Sequence, residues 1–443
     1  MVSFRRSLAG LCFLTIAFFS CVPQAHAFPA FARKYGLRCS ACHVAWPVLN
    51  DFGWRFKDNG YQLMNDRDAP IWQNPSYWPV TFRITPNWHR DSTNKVAVDT
   101  AGGASSEQQV TGHGFDLSGL DILSGGTLEK NLSFLLVPSA DETGAFHFES
   151  AWVRLDNVFK SPWLNIKFGK SELDNLVSEK RIYSISGNGG FYNLYHFTPV
   201  GDNNFAGQIG DNQLGLEWMG HSLNDHTRLS AMVFSSSDGN VDLTNSNAYS
   251  GYFAGSQAFD LGSWGLQRVG AYYFVGEAPT FSLTSGGVPV AGGGRGNKSF
   301  YRAGVFGDFY FSKFDVAWYY QHGSDDKYFG TSTPANVALP VGARNPSWNG
   351  AFIEPHFTLN PQFIIFQRSE WVRMSQQAIP GTPSNLGDID AYTFGYRWYP
   401  IMTSRAGFAF HNEWSWVRQR GTSPVTSTDL SSNTLFLGFD FDF

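Results

Sequence analysis

The last residues of the chain alternate between apolar and polar positions. Leu435, Leu437, Phe439, Phe441 and Phe443 share one parity, Thr434, Gly438, Asp440 and Asp442 the other, and Phe436 is the exception on the polar side. A period of two is a strand with one apolar face. Similar segments recur upstream: Tyr301 to Phe311, Phe314 to Gln321, Ala351 to Leu359, Gln362 to Met374, Tyr392 to Tyr399 and Arg405 to Val417. Their connections alternate between tight turns, at Ser312-Lys313, Asn360-Pro361 and Pro400 to Thr403, and long polar stretches such as Asp325 to Trp348 and Gly421 to Ser432. Short turns on one side and long loops on the other, between amphipathic strands, predict an antiparallel sheet closed into a membrane barrel. Extrapolated over the chain, the spacing predicts roughly 16 strands, an even number, with a bore wide enough for a channel or a plug. The chain ends at the short-turn side, so that side faces the periplasm and the long loops face outward.

Parity also predicts which side chains face the bore. Thr81, Arg83, Thr85, Asn87 and His89 share the polar face of one strand. Glu354 and His356 oppose Ile353 and Phe357; Arg405, His411 and Glu413 oppose Phe408, Phe410 and Trp414. The expected interior is an ordinary solvated polar lumen, and the sharper alternative is a set of histidines that guides a cation or meets a haem edge. Two stretches break the pattern. Lys170 to Arg181 is a charged run that fits a loop folded into the pore or an external loop, and both readings stand. The Gly-rich Thr284 to Asn297 reads as a flexible external loop.

Composition supports the barrel. Aromatic residues make up 16 % of the chain and glycine 46 of 443 residues, while mean hydropathy is negative. Outward apolar and inward polar residues average to that value, whereas helical spans do not. The N-terminus carries a leader: Arg5 and Arg6, an apolar run from Leu8 to Phe19, and the cleavage pattern Ala25-His26-Ala27. Its removal deepens a net charge of −5, and no basic stripe points to a nucleic-acid partner. Of the four cysteines, Cys12 and Cys21 leave with the leader; lipidation at Cys21 is the alternative, against which Phe18 and Phe19 fit poorly.

The two remaining cysteines fall in Cys39-Ser40-Ala41-Cys42-His43, a C-x-x-C-H haem-attachment pattern. Each thiol adds across one porphyrin vinyl group, and the adjacent imidazole reaches the iron from the proximal side. A zinc site lacks further cysteine ligands, and a thioredoxin-like pair lacks its βαβ surround. Pro47 to Tyr61 reads as an amphipathic helix that places Val48, Leu49, Phe52 and Phe56 on one face, with Gly60 as its stop. At about 40 residues this segment sits near the limit of independent folding, so it is expected to dock on the barrel. Candidates for the sixth iron position are Met64, His89 or an open site.

Phe31-Ala32-Arg33-Lys34-Tyr35-Gly36, the C-x-x-C-H pentapeptide, and Pro47-x-Leu49-Asn50-x-Phe52-Gly53-x-x-Phe56-Lys57-x-x-Gly60-Tyr61 resemble the fused monohaem cytochrome–porin family, whose best-known members are outer-membrane ferrous-iron oxidases. The resemblance is specific over Phe28 to Tyr61 and architectural beyond. It implies one covalent haem c on Cys39 and Cys42, with His43 as proximal ligand. The expected fold is therefore mainly β: a transmembrane antiparallel β-barrel of roughly 16 strands, plugged or capped by a small α-helical haem segment. The expected divisions are a signal peptide (1–27), a haem segment (28–75) and a porin-like barrel (76–443). The implied role is an outer-membrane electron conduit between an extracellular donor, foremost Fe²⁺, and a periplasmic carrier such as a soluble cytochrome. Outward transfer to an extracellular acceptor and a porin-like channel with a structural or regulatory haem plug are the alternatives.

Overall fold

The computed structural model describes residues 29–45, 48–63, 79–99, 105–140, 143–174, 194, 197–198, 209, 212–235, 248–279, 297–327, 344–375, 387–403, 406–420 and 429–443. Sixteen antiparallel strands close into one barrel: β1 (Val80–Asp99), β2 (Ser105–Glu129), β3 (Leu132–Ala140), β4 (Phe146–Leu155), β5 (Asn165–Ser171), β6 (Gln213–His221), β7 (Thr227–Ser235), β8 (Tyr249–Asp260), β9 (Leu266–Pro279), β10 (Asn297–Phe311), β11 (Phe314–Ser324), β12 (Ser347–Asn360), β13 (Phe363–Met374), β14 (Ile389–Met402), β15 (Gly407–Gln419) and β16 (Leu430–Asp442). Each strand pairs with its neighbour in sequence, and β16 pairs with β1 to complete the ring. The seam is tied at its last residue, where Phe82 and Phe443 exchange both backbone hydrogen bonds. Closure leaves no unpaired edge, which a wall surrounded by lipid requires. Among the described residues no helix is long and apolar enough to cross a membrane; the strands supply the crossing.

The predicted parity holds. Ile353, Phe357, Phe394 and Trp414 face outward and are 43–54 % exposed, whereas Glu354, His356, His411 and Glu413 are buried on the bore side. Phe436, the exception in the last strand, is buried against His411 and Gly438. Strand limits differ from the sequence reading at a few ends. β11 runs on to Ser324, and β14 to Met402 through Pro400 with a register shift between Trp398 and Ile401. A bulge there absorbs the missing proline N–H. Arg405 and the 284–296 stretch lie outside the described residues.

The expectation of a polar lumen holds on the β1–β4 side, where Thr81, Thr85, Asn87, Ser133 and Arg154 line the wall, and fails on the opposite side. On the β7–β12 side the inner face is a packed aromatic layer that includes Phe234, Tyr252, Tyr272, Phe274, Tyr319 and Phe352, all at most 5 % exposed. Leu173, Leu194, Phe197 and Ile209, from the connection between β5 and β6, pack against this layer. The Leu194 backbone N–H donates to Glu370 Oε1 at 2.5 Å, and the Phe197 ring meets Trp348 edge-on at 5.4 Å. The inward reading of the Lys170 to Arg181 run therefore holds for Glu172, Leu173 and Asp174, which are buried or half-buried inside; 175–181 lie outside the described residues. Period-two alternation shows which face turns inward but not whether water fills the interior, because inward tyrosine, glycine and phenylalanine break the apolar-out rule without changing the strand.

The N-terminal segment holds α1 (Pro29–Tyr35), α2 (Cys39–Cys42) and α3 (Asp51–Asp58). The helix expected from Pro47 starts four residues later. Val48 and Leu49 instead pair with His43 and Ala45 in a two-stranded ribbon, and Asn50 caps α3 by accepting from the Gly53 N–H at 2.9 Å. An Asn cap satisfies an otherwise orphaned donor, which a proline start cannot do. The predicted stop holds: Asn59 is the C-cap and Gly60 takes φ +75°. Gly53 packs directly on the Cys42 carbonyl, so that an added Cβ would collide with that oxygen and lie 3.0 Å from Leu49 Cδ2. Gly53→Ala is expected to destabilise the docked segment by about 1–3 kcal/mol, typical of overpacking, read as faster limited proteolysis between residues 29 and 63. A wild-type cleavage rate would show that the contact relaxes.

Candidate functional site

The segment lies inside the barrel and braces against opposite walls. Val48, with Val44 beside it, packs on Ile364, Phe366, Tyr399 and Ala409. Phe56 and Tyr61 pack on Trp152 of β4, and Phe31 stacks on Tyr61 at 4.8 Å. Trp54 joins the aromatic layer on the third side. The helical stripe read from the sequence omitted Trp54, because a helix enclosed by a barrel is buried on more than one face, here leaving Asp51 exposed and Arg55 partly so.

Ion pairs fix the axial position. Asp58, at the end of α3, accepts two hydrogen bonds from Arg228 of β7, at 2.8 Å from Nε and 2.8 Å from Nη2. The Arg228 guanidinium also lies over the Trp54 ring, 4.6 Å from its centroid, and 3.3 Å from Asp174. Arg154 of β4 donates to the Lys57 and Asp58 carbonyls and is held by Asp156 at 2.6 Å. Lys57 pairs with Glu172 at 3.1 Å. Burial alone would raise the Asp58 carboxyl, but Arg228, with His221 behind it, overcomes this and holds it well below the usual carboxylate range. Asp225, in the short turn between β6 and β7, behaves in the opposite way. Burial and the nearby Asp58 carboxylate push it up to about 9, so that it stays protonated at neutral pH. Both Asp225 oxygens are buried and accept no hydrogen bond, the arrangement expected of a carboxylic acid that donates to Asp58.

The C-x-x-C-H residues lie beside the start of α3. Cys39 to Cys42 form one helical turn and His43 begins the ribbon. Asn50 holds the turn: its side-chain amide donates to the Ala41 and Ser40 carbonyls at 3.0 and 3.3 Å, and its backbone N–H donates to Cys42 O at 2.9 Å. Cys42 forms no disulfide, and burial pushes its thiol up to about 11. A neutral, half-buried thiol opposes the redox-pair reading, which needs a depressed one. Beside the ribbon a cavity of about 370 Å³ separates the plug from the β8–β9 and β10–β11 turns, both short turns at one end of the barrel. Val44, Leu49 and Trp54 bound it from the plug, and Trp264, Tyr310 and Arg268 from the wall. The aromatic and aliphatic side chains and Arg268 suit the face and one edge of a flat apolar macrocycle, whereas Asp51 and Asp308, which also line the space, oppose carboxylates, so the residues present fit a haem whose propionates turn toward Arg268. Met64 lies outside the described residues. His89 is on the inner face of β1, 3.0 Å from Asn87 and 3.4 Å from Asp91, as part of the wall.

The other inward histidines are wall groups too. His356 bridges Asp315 (2.6 Å) and Glu354 (2.7 Å), with Arg368 3.6 Å beyond, and His411 bonds Glu413. These charges are paired, and among the described residues no group of three or more His, Cys, Asp or Glu side chains is arranged to hold a metal ion. Asp58, Arg154, Asp225 and Arg228 were not anticipated from the sequence. Arg154 and Arg228 carried only charge at inward parity, which any polar lumen shares, and Asp58, on a helix, and Asp225, in a turn, carried not even that.

A closed sixteen-stranded antiparallel wall, apolar outside and threaded by its own N-terminal segment, defines a transmembrane β-barrel of the porin type, whose place is the bacterial outer membrane. The solved structures it is similar to are of that class. The anion-selective porin from Comamonas acidovorans aligns over 82 % of this chain and 99 % of its own, with a TM-score of 0.50 and 12 % identity. The outer membrane channel DcaP of Acinetobacter baumannii aligns over 82 % and 97 %, with a TM-score of 0.48 and 11 % identity. No protein-family model and no curated protein matches the sequence. At such identities the likeness is one of fold.

Proposed function

We propose that this porin-type barrel is closed by a plug bearing one covalent c-type haem, attached at Cys39 and Cys42 with His43 as the proximal iron ligand, and that it moves single electrons between an extracellular donor and a periplasmic carrier. The observation that supports this reading is the filled bore: plug, inward loop and aromatic layer pack together where a solute would need water. When bound, the haem supplies one-electron redox chemistry. The chain's own residues supply the setting. Asn50 fixes the attachment turn, Trp264 and Tyr310 bound the cavity on the periplasmic side, and Arg268 offers a cation there. Ferrous iron is the donor this reading favours, since it gives up one electron at a time and the acidic chain attracts cations.

The shared wall architecture favours one second reading, a solute channel that the plug holds shut. Stopped-flow mixing of the oxidised protein with Fe²⁺, beside conductance in a planar bilayer, separates the two. The conduit reading expects a pyridine haemochrome of the c type, reduction by Fe²⁺ and no steady conductance. It also expects His43→Ala to lose reduction while the barrel stays membrane-inserted. Conductance without reduction would transfer the protein to the channel reading, and absence of any haemochrome would end the conduit reading.

A further inference from the structure

On the outer wall, away from the plug, an arginine row lies directly above an aromatic row. Along β15 the outward residues run Phe408, Phe410, Asn412, Trp414, Trp416, Arg418. From Phe408 to Trp416 this row rises about 21 Å along the membrane normal, at ~3.4 Å per residue and ~40° tilt. That nearly fills the apolar band of an outer-membrane wall, about 25 Å tall, so Arg418 stands at headgroup level on the long-loop, extracellular side. Neighbouring strands repeat the order. Tyr392 of β14 stacks on Trp416 with centroids 5.6 Å apart, and Trp371 of β13 is the register partner of Asp390.

Above them, Arg373 and Arg420 share the single carboxylate of Asp390, the latter at 3.4 Å, and Arg418 pairs with Asp429. The three arginine side chains stay 43–48 % exposed. With Arg344, whose Nη2 donates to the Ser375 carbonyl, and Asp388, which accepts from the Met374 N–H, four guanidinium groups face three carboxylates among the described residues, a local cationic excess on a chain whose net charge is −5. We propose that this patch binds the phosphate headgroup of an anionic glycolipid in the outer leaflet. Guanidinium forks match phosphate oxygens two at a time, and the aromatic row below gives the acyl chains and sugar rings a wall to lie against. Water-exposed ion pairs are weak, so a phosphate can replace Asp390 on one arginine without a large penalty. The proposal is independent of the haem.

Thermal unfolding of the detergent-solubilised full chain tests it, with diphosphorylated lipid A, its dephosphorylated form and inorganic phosphate as the three probes. Diphosphorylated lipid A is expected to raise the midpoint, and the other two to leave it unchanged. Replacing Arg373, Arg418 and Arg420 together by alanine is expected to weaken the lipid's apparent affinity at least tenfold. The triple lysine variant, which keeps charge but not the fork, serves where the alanine form fails to insert, and is expected to lose several-fold. An equal response from the dephosphorylated lipid, an equal response from inorganic phosphate, or undiminished binding by both variants would overturn the proposal.

Discussion

Replacing Arg228 by alanine is expected to release the plug and convert a closed barrel into a conducting one. Arg228 is buried and is the bidentate partner of Asp58, a neighbour of Asp174 and the cation over Trp54. Removing it leaves two acidic side chains facing each other in a dry interior with the positive charge gone. Breaking a buried pair from one side typically costs about 3–5 kcal/mol, a large share of what holds a segment of this size. The Arg154 and Lys57 contacts remain, but they grip neighbouring groups and cannot neutralise Asp58. Planar-bilayer recordings should show stepwise openings in Arg228→Ala that wild type lacks, and a protease added from the plug side should cut between residues 29 and 63. Asp58→Asn should do less, because the amide keeps the shape and an acceptor for Arg228. A silent Arg228→Ala bilayer with a protected segment would mean that apolar bracing alone retains the plug.

The barrel was legible from the sequence because a strand with one lipid face must alternate, and because turn length separates its two ends. The strand number and the sidedness of Glu354, His356 and His411 followed from spacing alone. The interior was not legible. Inward tyrosines such as Tyr272 and Tyr319, whose hydroxyls bond each other and Gln321, count as polar in an alternation pattern yet build a dry layer. Nor does any local signal join Asp58 to Arg228 across 170 residues; a long-range ion pair is a product of closure. The C-x-x-C-H pentapeptide, in contrast, is readable at once because its chemistry is local. Its helix began late because Asn50, three residues before Gly53, offered a better cap than the proline in front of it.

The same latch is expected to be proton-linked, tightest under mildly acidic conditions and looser as pH rises. In the docked plug Asp225 is pushed up to about 9, first by burial and then by Asp58. Once the plug leaves, water enters, Asp58 is gone and Asp225 returns toward the ordinary value of about 4. The docked state therefore binds one more proton across that window. This contribution is full below about pH 4 and is lost as pH rises toward 9, at up to about 1.4 kcal/mol per pH unit. Asp58 works in the opposite sense: held low by Arg228 in the docked state, it adds stability above about pH 4 and loses it on further acidification. The two limbs place the maximum near pH 4–5. Arg228, Arg268, His221 and Asp174 all face this pair, so Asp225→Asn is the decisive control, since its amide donates to Asp58 at every pH. Protease cutting of the plug should quicken from pH 5 to pH 9 in wild type and stay flat in Asp225→Asn. Equal slopes in the two proteins would assign the dependence to a group other than Asp225, and no slope in either would mean that Asp225 does not carry the shared proton.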